Sequence, residues 1–298
     1  MSQMHQQDLI KKATLTQAEQ SEIKQLTEIC NRSENLHMRL SFTMLLERTG
    51  KEHNDFLYYQ QGQLVGYLEL DEWGSDEKEV VAMVHPDFRR KGIFSALLAT
   101  AREECQQRAI PSLLLICEQS SPSGQACAKA IGAKLSFSEH EMLLTNFQER
   151  TTFDERLSIH EAGRDDIDAI ATVLSASFND PGPLVTANLL KRFSQQPPPR
   201  IYLATFGEGE LSCNEPVGTL RLDEFDDVVG IYGFGVIPDY RRRGYGIQML
   251  EETIRTIRAT SQKTIILDVE TDNAPAIALY KSCGFHIKTT YDYYSVTT

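Results

Sequence analysis

The sequence predicts two tandem units of the layered α/β (α+β) class, and three observations carry that prediction. The first is length: 298 residues suit about two domains of ordinary size, each with its own core. The second is an internal repeat. Leu-Val-Gly-Tyr-Leu-Glu-Leu-Asp-Glu at 64–72 matches Pro-Val-Gly-Thr-Leu-Arg-Leu-Asp-Glu at 216–224, an offset of 152 residues (64 against 216). At that offset Val84, Pro86, Asp87, Arg89, Arg90 and Gly92 fall without a gap on Val236, Pro238, Asp239, Arg241, Arg242 and Gly244, and Gly132 falls on Gly284. The third is that strand-like and helix-like runs follow one another in the same order in both halves, the mark of layered sheet-and-helix units.

In the first half, 8–14 reads as a short strand, 17–31 as a helix and 36–48 as a second helical stretch. Residues 56–60 and 64–71 alternate apolar and polar side chains around Gln61-Gly62, the pattern of a hairpin. A strand is expected over 79–84, a long helix over 93–108, a buried strand over 112–117, a short helix over 125–131 and closing strands over 135–144. The second half repeats this order. A strand over 157–161 precedes a helix over 165–178, which opens on Arg164-Asp165-Asp166, where acidic side chains favour the helix dipole. Pro181-Gly182-Pro183 predicts a loop before a helix over 184–193, and Pro197–Pro199 an extended loop. Strands are expected over 201–206, 217–223 and 228–236, a helix over 247–260, a strand over 264–269, a helix over 274–283 and two last strands over 285–289 and 293–296. The polar stretch 148–156 is the expected connection, giving domains 1–150 and 157–298.

Composition excludes several classes. No apolar run approaches the roughly 18 residues of a membrane span, and the polar start 1–12 suits neither a signal peptide nor an anchor, so a soluble, cytoplasmic chain is expected. A formal charge of −12 argues against nucleic-acid and anionic-membrane partners, which need clustered Lys and Arg to neutralise phosphates. The six cysteines form no Cys-x-x-Cys pair and no ligand spacing with His, so they are expected to be reduced, with no metal site.

Against that acidic background Arg241-Arg242-Arg243 is a local exception. The stretch Val236-Ile237-Pro238-Asp239-Tyr240-Arg241-Arg242-Arg243-Gly244-Tyr245-Gly246 joins a strand to the helix that begins near Ile247. Two glycines one residue apart at a helix start let an anion approach the main-chain amides, where the dipole adds positive charge. Alone, the fragment fits a solvated basic turn equally well. Ile247, Leu250, Ile254 and Ile257 follow helical spacing, so the helix packs on the sheet and its N-terminus is held rigidly. A second run, 273–285, opens on Asn273 as a helix cap with Pro275 in the first turn and ends at Gly284. Within it Ala276, Leu279, Tyr280 and Cys283 recur at helical spacing, which by itself fits a core role for Tyr280.

Together, Val-x-Pro-Asp-Tyr-Arg-x-x-Gly-x-Gly and Asn-x-x-Ala-x-x-Leu-Tyr-x-x-x-Gly-Phe closely resemble the GNAT superfamily of acyl-CoA-dependent N-acetyltransferases, and the tandem layout is similar to that of mycothiol synthases. The resemblance implies a mixed, mostly antiparallel central sheet flanked by helices in each half, with acetyl-CoA as donor. It implies coenzyme contacts from Val236, Ile237, Pro238, Arg241, Arg242, Arg243, Gly244, Tyr245, Gly246, Ile247 and Asn273, and a general-acid role for Tyr280. Backbone amides stabilise the oxyanion formed when an amine attacks a thioester, and a phenol protonates the leaving thiolate. A carboxylate, directly or through water, should deprotonate the amine. Glu270 is the leading candidate, with Asp268, Asp223 and Glu224 beside it, and each also fits a solvated edge charge.

The first half departs from this pattern. Phe94 stands opposite Gly246, Ser121 opposite Asn273 and Ala128 opposite Tyr280. Alanine donates no proton, so the first domain is expected to be structural or coenzyme-binding and the second to be catalytic. The expected activity is direct acetyl transfer from acetyl-CoA to a small-molecule amine in a ternary complex. The alternatives are a protein or peptide N-acetyltransferase and a catalytically silent coenzyme A-binding regulatory module. Acceptor choice is expected to lie around 178–199, the first helices and loop of the second half.

Overall fold

A computed structural model describes residues 7–38, 40, 42–46, 48–72, 77–147, 153–195, 197–207, 215–225 and 227–298. The chain divides into two compact units: Met1–His140 with Thr289–Thr298, and Glu141–Lys288. The units cross the boundaries of the repeat, because the last ten residues belong to the first unit and Glu141 onward to the second. Of the expected connection, 148–152 lies outside the described residues.

The elements of the first half are β1 (Gln7–Lys12), α1 (Gln17–Glu34), α2 (Phe42–Leu46), β2 (Asp55–Gln60), β3 (Gln63–Glu72), β4 (Glu77–Val84), α3 (Ile93–Gln107), β5 (Ser112–Glu118), α4 (Pro122–Ala130) and β6 (Lys134–Leu144). Those of the second are β7 (Leu157–Glu161), α5 (Ile167–Phe178), α6 (Gly182–Phe193), β8 (Arg200–Phe206), β9 (Glu215–Phe225), β10 (Val228–Val236), α7 (Tyr245–Thr260), β11 (Thr264–Glu270), α8 (Ala274–Ser282) and β12 (Phe285–Thr297).

Local chemistry accounts for many of the bounds. A capping box starts α1: the Thr16 hydroxyl accepts from Glu19 N at 3.3 Å and the Glu19 carboxylate accepts from Thr16 N at 2.8 Å. Asn35, at φ 55°, ends it. The helical stretch expected over 36–48 shrinks to α2, because the His37 and Met38 amides donate to the Glu118 and Asn31 side chains instead of to a helix ladder. Gln61 and Gly62 both have positive φ, the geometry of a tight hairpin turn. The loop expected at 181–183 is the first turn of α6, where prolines remove no helix bond. β12 is one strand rather than two.

In the first unit the strands run in the order β1-β2-β3-β4-β5, then residues 289–297 of β12, then β6. Neighbours are antiparallel from β1 to β4, β4 and β5 are parallel, and β5 and β12 are antiparallel. On one face Leu97 and Ala101 of α3 pack on Phe56, Leu68, Val80 and Leu113; on the other Ile23, Leu26 and Cys30 of α1 meet Leu57, Tyr67 and Met83. In the second unit the order is β7-β8-β9-β10-β11, then residues 141–144 of β6. Only β10 and β11 pair in parallel among the registered neighbours β7 to β11. Leu250, Ile254 and Ile257 of α7, Tyr280 of α8 and Cys283 at its C-terminal cap cover one face, against Leu222, Val229, Ile231 and Leu267. Ile170, Val173, Leu189 and Phe193 of α5 and α6 cover the other, against Ile201 and Leu203. Each such fully buried aliphatic side chain contributes roughly 1.5–3 kcal/mol. Gly218 lets α7 approach β9: a Cβ there would lie 2.4 Å from the Met249 sulfur.

Candidate functional site

In the second unit β10 and β11 pair only from Val228↔Thr264 to Ile231↔Leu267, although β10 runs on to Val236 and β11 to Glu270. Past Ile231 the two strands part, and the backbone edge of β10 is free of that ladder. On its other side β10 is bulged: Tyr232 stands opposite Arg221 and Gly235 opposite Thr219, so Gly233 and Phe234 face the single residue Leu220. Gly233 lies inside the bulge at φ 56°. A bulge re-aims backbone groups that a regular ladder would consume, so this stretch of β10 presents main-chain donors and acceptors to the opening.

Beyond Val236 the chain makes a short 3-10 turn, Pro238–Tyr240, and enters α7 through Arg241–Gly244. Arg242 at φ 64° and Gly244 at φ 87° are both left-handed, and Gly244 caps α7 without a side-chain acceptor. The amides of Tyr245, Gly246 and Ile247 precede the first intrahelical bond, from Gln248 N to Gly244 O. A basic loop beside this ring of amides fits a pyrophosphate.

The side chains divide the work differently from the residue types. The Arg241 guanidinium turns back onto its own loop, donating from Nε to Val236 O at 2.8 Å and from Nη2 to Ser177 O at 3.3 Å. Arg243 lies over the Tyr240 ring, 4.9 Å from its centroid. Tyr245 is only 3% exposed and packs among Phe206, Tyr240 and Met249, so its backbone alone faces the loop. Ile237 packs against the α5–α6 core and its amide donates to Val217 O at 2.9 Å, while Ile247 packs against the α7–α8 core. A Cβ on Gly246 would lie 3.0 Å from Leu279, so glycine lets α7 and α8 approach each other there.

Asn273 caps α8, its side chain accepting from Ala276 N at 3.2 Å. Tyr280 is 7% exposed and sits between Phe234 and Phe285, each 6.2 Å away between ring centroids. It is therefore a core residue and also a neighbour of the bulged strand. Its hydroxyl makes no hydrogen bond to a described residue, and burial, with Cys283 adding to it, pushes its pKa above the ordinary tyrosine value.

Glu270 is exposed at the end of β11, and its carbonyl accepts from Asn273 N at 3.0 Å. Asp268 is half-buried on the same strand. Both alternate with Ile265, Leu267 and Val269, which face α7 and α8, so they lie on the opposite side of the sheet. Asp223 is held by Arg221 at 2.6 Å, and Glu224 by Arg200 at 3.1 Å and Lys263 at 3.3 Å.

Two features escaped the sequence reading. One is the bulge, signalled by three glycines at 230, 233 and 235 within a nine-residue strand, an unusual density for a strand interior. The other is a cavity of about 300 Å³ on the α5–α6 face, bounded by Phe178, Asp180, Arg192, Arg221 and Gly233 among others. Phe178, Asp180, Val185, Asn188, Leu189 and Arg192 of its wall fall in the expected acceptor segment 178–199, whereas Ile170 and Leu174 precede it.

The first unit has a counterpart. β4 and β5 pair from Glu77↔Ser112 to Val80↔Leu115 and then part, and Arg90 at φ 64° and Gly92 at φ 80° repeat the loop geometry before α3. The β3–β4 register is unbroken from Gly66↔Val84 to Glu72↔Lys78, so the bulge is missing. At the repeat offset Ala82, Cys127 and Ala128 replace Phe234, Leu279 and Tyr280, while Phe94 replaces Gly246. These smaller side chains border a cavity of about 610 Å³ that also reaches Arg90 and Gly92. Cys30 and Cys117 in its wall are pushed up to about 11 and about 12 by burial, which keeps both thiols protonated and poor nucleophiles. Among the described residues no His, Cys, Asp and Glu group could hold a metal ion, and no helix is long and apolar enough to cross a membrane.

The profile of the acetyltransferase (GNAT) family matches residues 21–133 and 167–285. A mycothiol acetyltransferase of Clavibacter michiganensis subsp. michiganensis is 28% identical over 222 residues, 71% of this chain and 69% of that protein. The [ribosomal protein bS18]-alanine N-acetyltransferase of Escherichia coli K12 is 39% identical over 72 residues, 24% of this chain and 49% of that protein. Among solved structures, a GCN5-related N-acetyltransferase from Sphaerobacter thermophilus superposes with a TM-score of 0.80 at 19% identity, covering 97% of this chain and 95% of the other. A tandem GNAT protein from the clavulanic acid biosynthesis pathway gives 0.70 at 16% identity, covering 98% of each. With both repeats matched, and with a parted parallel strand pair and a glycine-capped helix in each unit, the chain belongs to the GNAT acetyltransferase family as a tandem member and is an acyltransferase.

Proposed function

We propose that the chain transfers acetyl from acetyl-CoA to the amine of a small molecule, and that the second unit performs the transfer. The observation that carries this reading is the pairing of the bulged β10 with Tyr280, which the first unit lacks. Bound acetyl-CoA would supply an activated acetyl thioester. Around it, the amides of Tyr245, Gly246 and Ile247 and the guanidinium of Arg242 bind pyrophosphate, while Arg241 and Arg243 brace the loop. Asn273 fixes the start of α8 and so the position of Tyr280. The bulge in β10 offers main-chain N–H groups to a carbonyl oxygen that gains negative charge. Tyr280 keeps its proton to alkaline pH, because burial disfavours the phenolate, and can give it to a departing sulfur. Glu270, through water, takes the proton of the incoming amine on the other side of the sheet.

The first unit keeps the loop and the parted strands without the tyrosine or the bulge, so it holds coenzyme without transferring. A small acceptor suits the roughly 300 Å³ cavity. A peptide N-terminus, the kind of acceptor named for the E. coli relative, is the second reading. The five described free cysteines support a reducing, cytoplasmic setting.

The test is Tyr280→Phe. Turnover should fall about 10²-fold, as for a lost general acid, while calorimetry with acetyl-CoA shows unchanged affinity and two bound molecules per chain. Unchanged turnover would remove Tyr280 from the reaction, and a single bound molecule would remove coenzyme from the first unit.

A further inference from the structure

We infer that the acceptor is an amine that also carries a carboxylate, with Arg192 as the residue that reads it; the inference rests on the acetyl-transfer reading of the second unit. The cavity on the α5–α6 face is walled by apolar side chains such as Ile170, Leu189 and Ile201, and it reaches the bulge of β10 at Gly233. An acceptor seated there has its amine beside the strand where the thioester carbonyl is to be held.

Three charged side chains line it. Arg221 is already compensated: its Nε and Nη2 contact the Asp223 carboxylate at 2.8 and 2.6 Å, and its guanidinium lies over the Tyr232 ring. The Arg192 guanidinium makes no ion pair or hydrogen bond to a described residue; burial and the Arg221 charge lower its pKa from the ordinary guanidinium value, with the Asp223 charge acting the other way, and it stays protonated. Asp180 likewise pairs with neither arginine. A cavity that sets the Arg192 guanidinium and the Asp180 carboxylate, not paired with each other, on apolar walls complements a zwitterion. Arg192 offers a planar fork to a carboxylate, and Asp180 draws an ammonium toward the opening.

The first unit is an internal contrast. The repeat aligns Tyr67, Leu68, Glu69 and Val81 with Thr219, Leu220, Arg221 and Gly233, and all four are buried. Glu69 is bonded there to Arg48 at 3.3 Å, so the same sheet positions carry a closed ion cluster in place of a charged opening.

The test uses the full chain, acetyl-CoA and the common amino acids, each as the free acid and as its carboxamide, with thiol release as the readout. Free acids should be preferred in kcat/KM by on the order of ten- to a hundredfold, the range of a hydrogen-bonded charge. Arg192→Gln should collapse that ratio toward one, and Arg192→Lys should keep part of it. Carboxamides used as well as the acids, or an unchanged ratio in Arg192→Gln, overturn the inference. Saturation-transfer NMR with the N-acetylated acids and N-acetylated amides makes the same comparison without turnover. Binding of the acids alone, lost in Arg192→Gln and with no thiol release from any acceptor, keeps Arg192 as the carboxylate-reading residue and removes the transfer reading together with the acceptor role. Turnover confined to uncharged amines or peptide N-termini removes the inference and keeps transfer, and failure of the N-acetylated acids to bind overturns the inference.

Discussion

Gly233 shows how much rests on a single backbone angle. At φ 56° in the bulge it holds a conformation that costs an L-residue of order 1–2 kcal/mol, more when β-branched. Gly233→Val should push β10 toward a regular register, turning its free amides away from the opening. Turnover is expected to fall at least about tenfold with little change in acetyl-CoA affinity, because the free amides at the start of α7, proposed to hold the pyrophosphate, lie beyond Val236. Stopped-assay kinetics beside calorimetry checks this, and wild-type turnover would dissociate the bulge from catalysis. At this scale Gly244 and Tyr280 were legible in the sequence because each sits in a motif with fixed spacing. Gly233 was not, since its role depends on where Arg221 and Thr219 of β9 fall opposite it. The side-chain directions of Arg241 and Tyr245 were equally hidden: the first turns onto its own strand and the second into the core.

At the scale of elements, the β2–β3 hairpin carries a buried cluster. Arg48 meets Asp55 and Glu69 at 3.3 Å each, and the Tyr67 hydroxyl donates to Asp55 at 2.6 Å. Burial raises the Glu69 pKa to about 8, outweighing the Arg48 charge, and it raises Asp55 in the same direction. An unfolded glutamate ionises near the ordinary value of 4.5. Between there and about pH 8 the folded state therefore holds a proton that the unfolded state lacks, and stability falls as pH rises through that window. Glu69→Gln, neutral throughout, should flatten this slope. Thermal unfolding between pH 5 and pH 8.5 measures it, and an equally steep slope in the variant would place the linkage elsewhere. The strands and helices were largely readable from apolar periodicity. The extent of α2 was not, because the Glu118 and Asn31 side chains compete for the amides that would extend it.

Over the whole molecule, the division into units makes a prediction that the repeat would have made differently. Met142 and Leu144 lie in the α7–α8 core, 0% and 8% exposed, yet they precede the second repeat. Fragment 157–298 lacks both, and it carries Tyr291 and Tyr293 without the first-unit strands they pair with. Losing two core side chains costs roughly 2–5 kcal/mol each, a large part of a typical domain stability of about 5–15 kcal/mol. Fragment 157–298 should therefore be unfolded or aggregated, whereas 141–288 should give a cooperative melt by circular dichroism. A cooperative melt of equal midpoint from 157–298 would contradict that assignment.

What the sequence determined by itself is local or periodic: the duplication, the order of strands and helices, the glycine-capped helix after Arg241–Arg243, and the tyrosine seven residues after Asn273 in the run 273–285. These follow from residue type and spacing along the chain. Tertiary structure alone decided the bulge in β10, the cavity on the α5–α6 face with Arg192 in its wall, and the division of β6 and β12 between the compact units. Each depends on which residue stands opposite which across a sheet, and cross-strand register is set by packing and hydrogen bonding between segments far apart in sequence.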